Sequence, residues 1–203
     1  MKLYDGGRAP NPRRVRIFLA EKGIRVPLEP VDLGAKAHKS EAFTAINPLQ
    51  RLPVLILDDG TVLTESIAIC RYFEAKQPEP ALFGRDAKTT ALIEMWQRRL
   101  ELNLFAPVQA VFRHLHPAMK EMEVPQVPAW GEANRPRVAE FLTLLDRELA
   151  SRRFVAGDEF SVADITGLVT LDFMKPAKLP LEPGLTHVAR WHRELGLRPS
   201  ATA

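Results

Sequence analysis

Apolar positions in the first third of the chain fall in short blocks of changing period, and in the rest of it they recur with a helical period only. The opening MKLYD is an apolar-rich run ended by Gly6-Gly7, the form of a strand entering a turn. After Ala9-Pro10-Asn11-Pro12, the run RRVRIFLAEKG sets Val15, Phe18 and Leu19 at helical spacing. Asn11 is expected to cap that helix, Pro12 to take its first position and Gly23 to stop it. Residues 24–33 alternate around Pro27 and Pro30, which lack ladder donors, so this strand is kept from the middle of a sheet. A polar helix over 38–46 breaks at Asn47-Pro48. Leu52–Leu57 reads as a buried strand, and Asp59-Gly60 turns it back through Thr61–Leu63 as a hairpin. Glu65-Ser66 opens a helix over 66–75, and Gln77-Pro78-Glu79-Pro80 has linker composition.

Beyond residue 86 the periodicity predicts helices at 87–113, 132–150, 161–173 and 187–195. Ser161 and Asp164 have the spacing of a capping box ahead of the third of these. The expected organisation is an α/β domain over 1–76, a linker over 77–86 and an all-α domain over 87–203.

Composition narrows the function. With 203 residues, 46% of them hydrophobic and 26% charged, the chain falls in the globular range. A mean hydropathy of -0.13 and charges inside every apolar run leave no candidate membrane span or signal sequence. The single cysteine, Cys70, excludes an intramolecular disulfide and a four-thiolate zinc site, and its place among Ile67, Ile69 and Phe73 marks it for core packing. A reducing cytoplasmic setting is the expectation. The net charge of +3 is unevenly spread: Lys2, Arg8, Arg13, Arg14, Arg16, Lys22 and Arg25 against Asp5 and Glu21 put +5 in the first 25 residues, leaving -2 for the remainder. So local a basic patch, poor in aromatics, suits a small anionic ligand better than a nucleic acid.

Leu52-Pro53 entering an apolar strand, Glu65-Ser66 opening a helix after a hairpin, the stretch RRVRIFLAEKGI and the Ser161–Asp164 box, in this order and spacing, resemble the glutathione transferase family over nearly the whole chain, closest to its bacterial and yeast-like branches. The resemblance implies a thioredoxin-like N-terminal domain, an all-helical C-terminal domain and a homodimer. It implies glutathione as co-substrate, no metal, and a small hydrophobic electrophile as second substrate. Pro53 would then be cis, with the backbone N–H and C=O of Leu52 offered to the cysteinyl part of glutathione. Glu65 and Ser66 would take the γ-glutamyl ammonium and carboxylate at a helix N-terminus, a place where Ser66 also serves as an ordinary cap. His38, Lys39, Gln50 and Arg51 are candidates for the glycyl carboxylate and equally for plain surface polarity. Phe105, Val108, Phe112 and Trp130 are candidates for the wall of the electrophile pocket, with helical-core packing the alternative for each. Trp130, between Pro128 and Gly131, is expected on a connecting segment.

The chemistry so implied is attack by a glutathione thiolate, and an ordinary thiol of pKa about 8.5 is only ~3% ionised at pH 7. Lowering that pKa by roughly two units takes about 2.7 kcal/mol of thiolate-selective interaction. A helix dipole contributes about 0.3–1 kcal/mol and a hydrogen bond to a charged acceptor about 1.5–3, so one donor plus the dipole suffices. Many members place Tyr, Ser or Cys in the turn after the first strand, but Asp5–Arg13 contains none. Asn11 is the first candidate donor, Tyr4 the second, and Arg13 a source of positive field. His114 and His116 are an alternative pair of bases acting through water. Reduction of a disulfide or peroxide by the same thiolate is the related reading, and a non-catalytic binding or interaction module on the same fold is the other.

Overall fold

The computed structural model describes residues 1–203, and the chain divides into two compact units: Met1–Leu82 with Pro199–Ala203, and Phe83–Arg198. In the first unit, β1 (Lys2–Asp5), α1 (Pro10–Glu21), β2 (Leu28–Pro30), a 3-10 turn (Ala37–Lys39), α2 (Glu41–Ile46), β3 (Val54–Ile56), β4 (Val62–Thr64) and α3 (Ser66–Lys76) follow in order. The sheet order is β2-β1-β3-β4. β1 runs parallel to β2, with Leu3 opposite Leu28, and antiparallel to β3, with Leu3 opposite Leu55. β3 pairs antiparallel with β4, Val54 facing Thr64. The two prolines around β2 lie on an edge strand, where a missing ladder donor costs least. Leu3, Val15, Ile17, Phe18, Val54, Leu55, Ile69 and Cys70 are fully buried and form this unit's core.

Three local expectations shift. α1 begins at Pro10, with Ala9 as an N-cap that makes no side-chain bond, so Asn11 lies inside the first turn rather than capping it. Consecutive helical positions for Pro10, Asn11 and Pro12 cost no hydrogen bond, because the first turn's N–H groups have no intrahelical acceptor. Gly23 does stop the helix, at a φ of 65° that favours glycine. The expected linker, 77–86, is partly held in the first unit: the buried Lys22 Nζ donates to the carbonyls of Gln77 (2.7 Å), Pro78 (3.2 Å) and Pro80 (2.7 Å) and pairs with Glu74. The last residues also belong there, although the expected helical domain ran to 203. Arg13 Nη2 donates to the Ala201 carbonyl (2.9 Å), and Ser200 bonds Glu21.

The second unit is helical: α4 (Ala87–Leu100), a π turn (Glu101–Phe105), α5 (Ala106–Leu115), α6 (Pro128–Leu149), α7 (Val162–Met174) and α8 (Thr186–Gly196). The expected 87–113 helix is thus interrupted just before Pro107, a residue with no N–H for the ladder. The Ser161–Asp164 box forms as expected. Asp164, fully buried, accepts from Val155 N (2.9 Å), Ser161 N and Oγ (both 2.9 Å) and Trp191 Nε1 (2.9 Å). Burial pushes its carboxyl above the ordinary 3.8, and the four donors oppose that rise. α7 is buried from Val162 to Leu171, and Trp191 of α8 lies so close to Gly167 that a Cβ there would meet the indole at 2.1 Å.

Candidate functional site

The site in the first unit follows from sheet register. The β3–β4 ladder ends where Val54 faces Thr64, so Leu52-Pro53 leads into β3 and Glu65-Ser66 leaves β4 at the same end of the hairpin. The two sequence pairs singled out above, thirteen residues apart in the chain, therefore meet at one end of the hairpin. The β1–α1 turn closes on the same place: a Cβ on Gly6 would lie 3.1 Å from Leu52 Cδ1 and 3.5 Å from Pro12 Cγ. Asp5 shapes that turn. Its carboxylate accepts from Gly7 N (2.9 Å) and pairs with Arg16, whose Nη2 donates to the Gly7 carbonyl (2.9 Å).

The Leu52-Pro53 bond is cis, and no hydrogen bond within the chain engages the N–H or C=O of Leu52. The loop before it is held by the buried Asn47, whose Nδ2 donates to the Arg51 carbonyl (2.9 Å) and whose Oδ1 accepts from Leu49 N (3.1 Å). Glu65 is exposed, with a φ of 63°, a conformation that costs a non-glycine residue about 1–3 kcal/mol and is concentrated at functional sites. No side chain caps α3, so the N–H groups of its first turn remain available to an anion.

The structure brings Asn11 to the same corner through a residue that the sequence reading counted only as charge. Arg14, 1% exposed, donates from Nη1 to Ser66 Oγ (2.7 Å) and to Asn11 Oδ1 (3.1 Å). The i, i+3 spacing of Asn11 and Arg14 at a helix start was the one available signal. Asn11, Leu52, Pro53, Glu65 and Ser66 thus form one group.

Tyr4 packs edge-on against Phe43 of α2 (5.9 Å) under the Lys2 ammonium, on the sheet face opposite Leu3 and Asp5. Arg13 is anchored on Ala201. His38 is 3% exposed rather than a surface residue, whereas its neighbour Lys39 is exposed. Gln50, at a φ of 53°, donates to Thr44 Oγ1 (2.9 Å), and Arg51 is exposed.

In the second unit, His114 Nδ1 accepts from Val127 N (3.1 Å) and His116 Nδ1 from Ala118 N (3.2 Å). In both rings Nδ1 is thus engaged by the backbone, and Nε2 is the other ring nitrogen. Phe105 and Val108 are core residues, while the Phe112 ring is in tilted contact with Phe173 (4.9 Å) and with His116 (4.8 Å). Trp130 is 50% exposed in the first turn of α6, not on a connecting segment, because Pro128 opens the helix. No cluster of three His, Cys, Asp or Glu side chains is positioned to hold a metal ion, and no helix is long and apolar enough to cross a membrane.

Known proteins share both the sequence and the fold. The glutathione S-transferase N-terminal domain family matches residues 1–75, and the glutathione S-transferase C-terminal domain family matches residues 128–194. Glutathione S-transferase 2 of Saccharomyces cerevisiae is 36% identical over 98% of this chain and 87% of its own. A glutathione S-transferase domain-containing protein of Marinobacter aquaeolei superposes with a TM-score of 0.95 at 38% identity, covering 98% of this chain and 99% of that one. Gtt2 of Saccharomyces cerevisiae superposes with a TM-score of 0.95 at 36% identity, covering 100% and 99%. With a thioredoxin-like first unit, a helical second one and the Leu52-Pro53 and Glu65-Ser66 pairs meeting at one corner, this chain belongs to the glutathione S-transferase family.

Proposed function

We propose that the protein is a glutathione transferase that ionises the glutathione thiol and directs it at a small hydrophobic electrophile. The observation that carries this reading is the cluster of Asn11, Leu52 and Ser66 around the end of the β3–β4 hairpin. Glutathione pairs through its cysteinyl backbone with the N–H and C=O of Leu52, as an added strand does. Its γ-glutamyl carboxylate is taken by Ser66 and the first N–H groups of α3, and its ammonium by Glu65. His38, Lys39, Gln50 and Arg51 serve the glycyl carboxylate. Asn11 donates Nδ2–H to the thiolate, which favours the ionised form, and Arg13 adds positive field to the same helix end. The sulfur then bonds to the electrophilic carbon as the leaving group departs with the bonding pair, the thiol proton having passed to solvent. Phe112 and Trp130 remain the residues proposed for the electrophile, Phe105 and Val108 being helical core, and a cytoplasmic homodimer is the proposed setting.

The test is an ultraviolet difference titration of glutathione across pH, followed by turnover of a chlorodinitrobenzene. A saturable thiolate band with a midpoint well below that of free glutathione, together with aryl transfer, is the expected result. Binding without such a band would refute thiol activation. The lack of Tyr, Ser and Cys in Asp5–Arg13 favours a second reading, thiolate attack on a disulfide. It predicts mixed-disulfide exchange outpacing aryl transfer.

A further inference from the structure

Arg14 is a buried guanidinium in the first unit, and two of its partners, Asn11 and Ser66, are residues of the proposed glutathione site. Neither partner has a fixed hydrogen-bonding polarity of its own. An asparagine amide presents an acceptor at one end and donors at the other, and a serine hydroxyl both donates and accepts. Arginine only donates. With Nη1 at 3.1 Å from Asn11 Oδ1 and 2.7 Å from Ser66 Oγ, both oxygens must accept from it. The Asn11 amide is thereby turned so that its Nδ2 donors lie at the end away from Arg14, and the Ser66 hydroxyl proton is left to be donated elsewhere. The other arginines of α1 are engaged differently: Arg13 on the Ala201 carbonyl, and Arg16 on Asp5 and the Gly7 carbonyl. Glu65, on the element that carries Ser66, is exposed.

We propose that Arg14 is a positioning residue that fixes Asn11 and Ser66 as donors, so that one buried cation prepares two contacts for anions: the thiolate and the γ-glutamyl carboxylate. The inference rests on the transferase reading and adds to it a cause for the polarity of both contacts. A purely structural arginine would support folding without setting that polarity.

The experiment compares wild type with Arg14→Met, which keeps the length and removes the donors, and Arg14→Lys, which remains a donor-only cation. Three readouts are taken: thermal stability, calorimetric affinity for S-methylglutathione, which has no thiol, and the pH midpoint of the bound-glutathione thiolate band. R14M is expected to bind S-methylglutathione roughly tenfold more weakly and to raise the midpoint by about one pH unit, the loss of one charge-assisted hydrogen bond at each contact. R14K is expected to recover most of both. A folded R14M with wild-type affinity and midpoint overturns the inference, as does an R14K as impaired as R14M at equal thermal stability. If R14M does not fold, Arg14→Gln, which both donates and accepts, takes its place against R14K. Equal midpoints in those two overturn the proposal, and a higher midpoint in R14Q supports it. A wild-type protein with no thiolate band overturns the transferase reading and this inference together, whereas a wild-type band that survives unchanged in the variants overturns the inference alone.

Discussion

Replacing Asp164 with alanine tests the joint that holds the helical unit together. The carboxylate accepts four hydrogen bonds from three places: Val155 before α7, Ser161 at its cap, and Trp191 on α8. Removal leaves the Val155 and Ser161 N–H groups and the indole N–H buried without acceptors, each costing about 1–3 kcal/mol. The total is not additive, since these donors share one carboxylate, and breaking a buried charged network costs about 3–5 kcal/mol. For a chain of this size about 4 kcal/mol lowers the melting temperature by about 8–16 °C. Asp164→Asn is expected to rescue little, because each oxygen of Asp164 accepts from two donors and the amide nitrogen would face one of those pairs. Thermal unfolding followed by circular dichroism, with urea titration for the free energy, reads both variants. A D164A loss below about 1 kcal/mol, or wild-type stability in D164N, would refute the reasoning, because in either case the donors would have found other acceptors.

Three further outcomes are expected. Asn11→Ala raises the pH midpoint of the bound thiolate by about one to two pH units and lowers kcat/KM about 10- to 150-fold below that midpoint, with only a modest change in glutathione affinity; spectroscopic titration beside initial rates checks it. Gly167→Ala destabilises strongly in chemical unfolding, because its Cβ would overlap the Trp191 ring at 2.1 Å and both residues are buried; in a Trp191→Phe background, which lacks the outer indole atoms that the Cβ would meet, the cost of Gly167→Ala is smaller than in wild type. Asp86 accepts from Thr89 N (2.9 Å) at the start of α4, and that bond holds its carboxyl below the ordinary 3.8. The folded state therefore binds its proton more weakly than the unfolded one, so the stabilisation by Asp86 is present above pH 3.8 and fades as pH falls through the depressed value. The melting-temperature difference between wild type and Asp86→Ala should be constant at neutral pH and vanish in acid.

Local patterns in the sequence were sufficient for most of the architecture because the devices they report are local. A hairpin turn, the Ser161–Asp164 box and the Gly23 stop each act within four residues of themselves. They were not sufficient where a residue's role depends on a distant partner. Arg14 and Lys22 look like surface charge in a basic segment, yet each is buried by groups more than fifty residues away, Ser66 for one and Gln77 to Pro80 for the other. The start of α1 was misplaced because proline geometry, not a side-chain cap, begins it. Trp130 was misplaced because Pro128 reads as a breaker in sequence but opens a helix in the structure. Leu52-Pro53 before a strand and Glu65-Ser66 at a helix start were legible as local features, while the guanidinium linking Asn11 to Ser66 was not.

The return of residues 199–203 to the first unit has a consequence for synthesis. The seats of those residues on α1, at Arg13 and Glu21, are made early, but the whole of the second unit, Phe83–Arg198, is translated before Ser200 and Ala201 can fill them. At bacterial-to-eukaryotic elongation rates that interval is on the order of ten seconds. The contacts of Ser200 and Ala201 with the first helix can therefore form only after the whole helical unit has been translated.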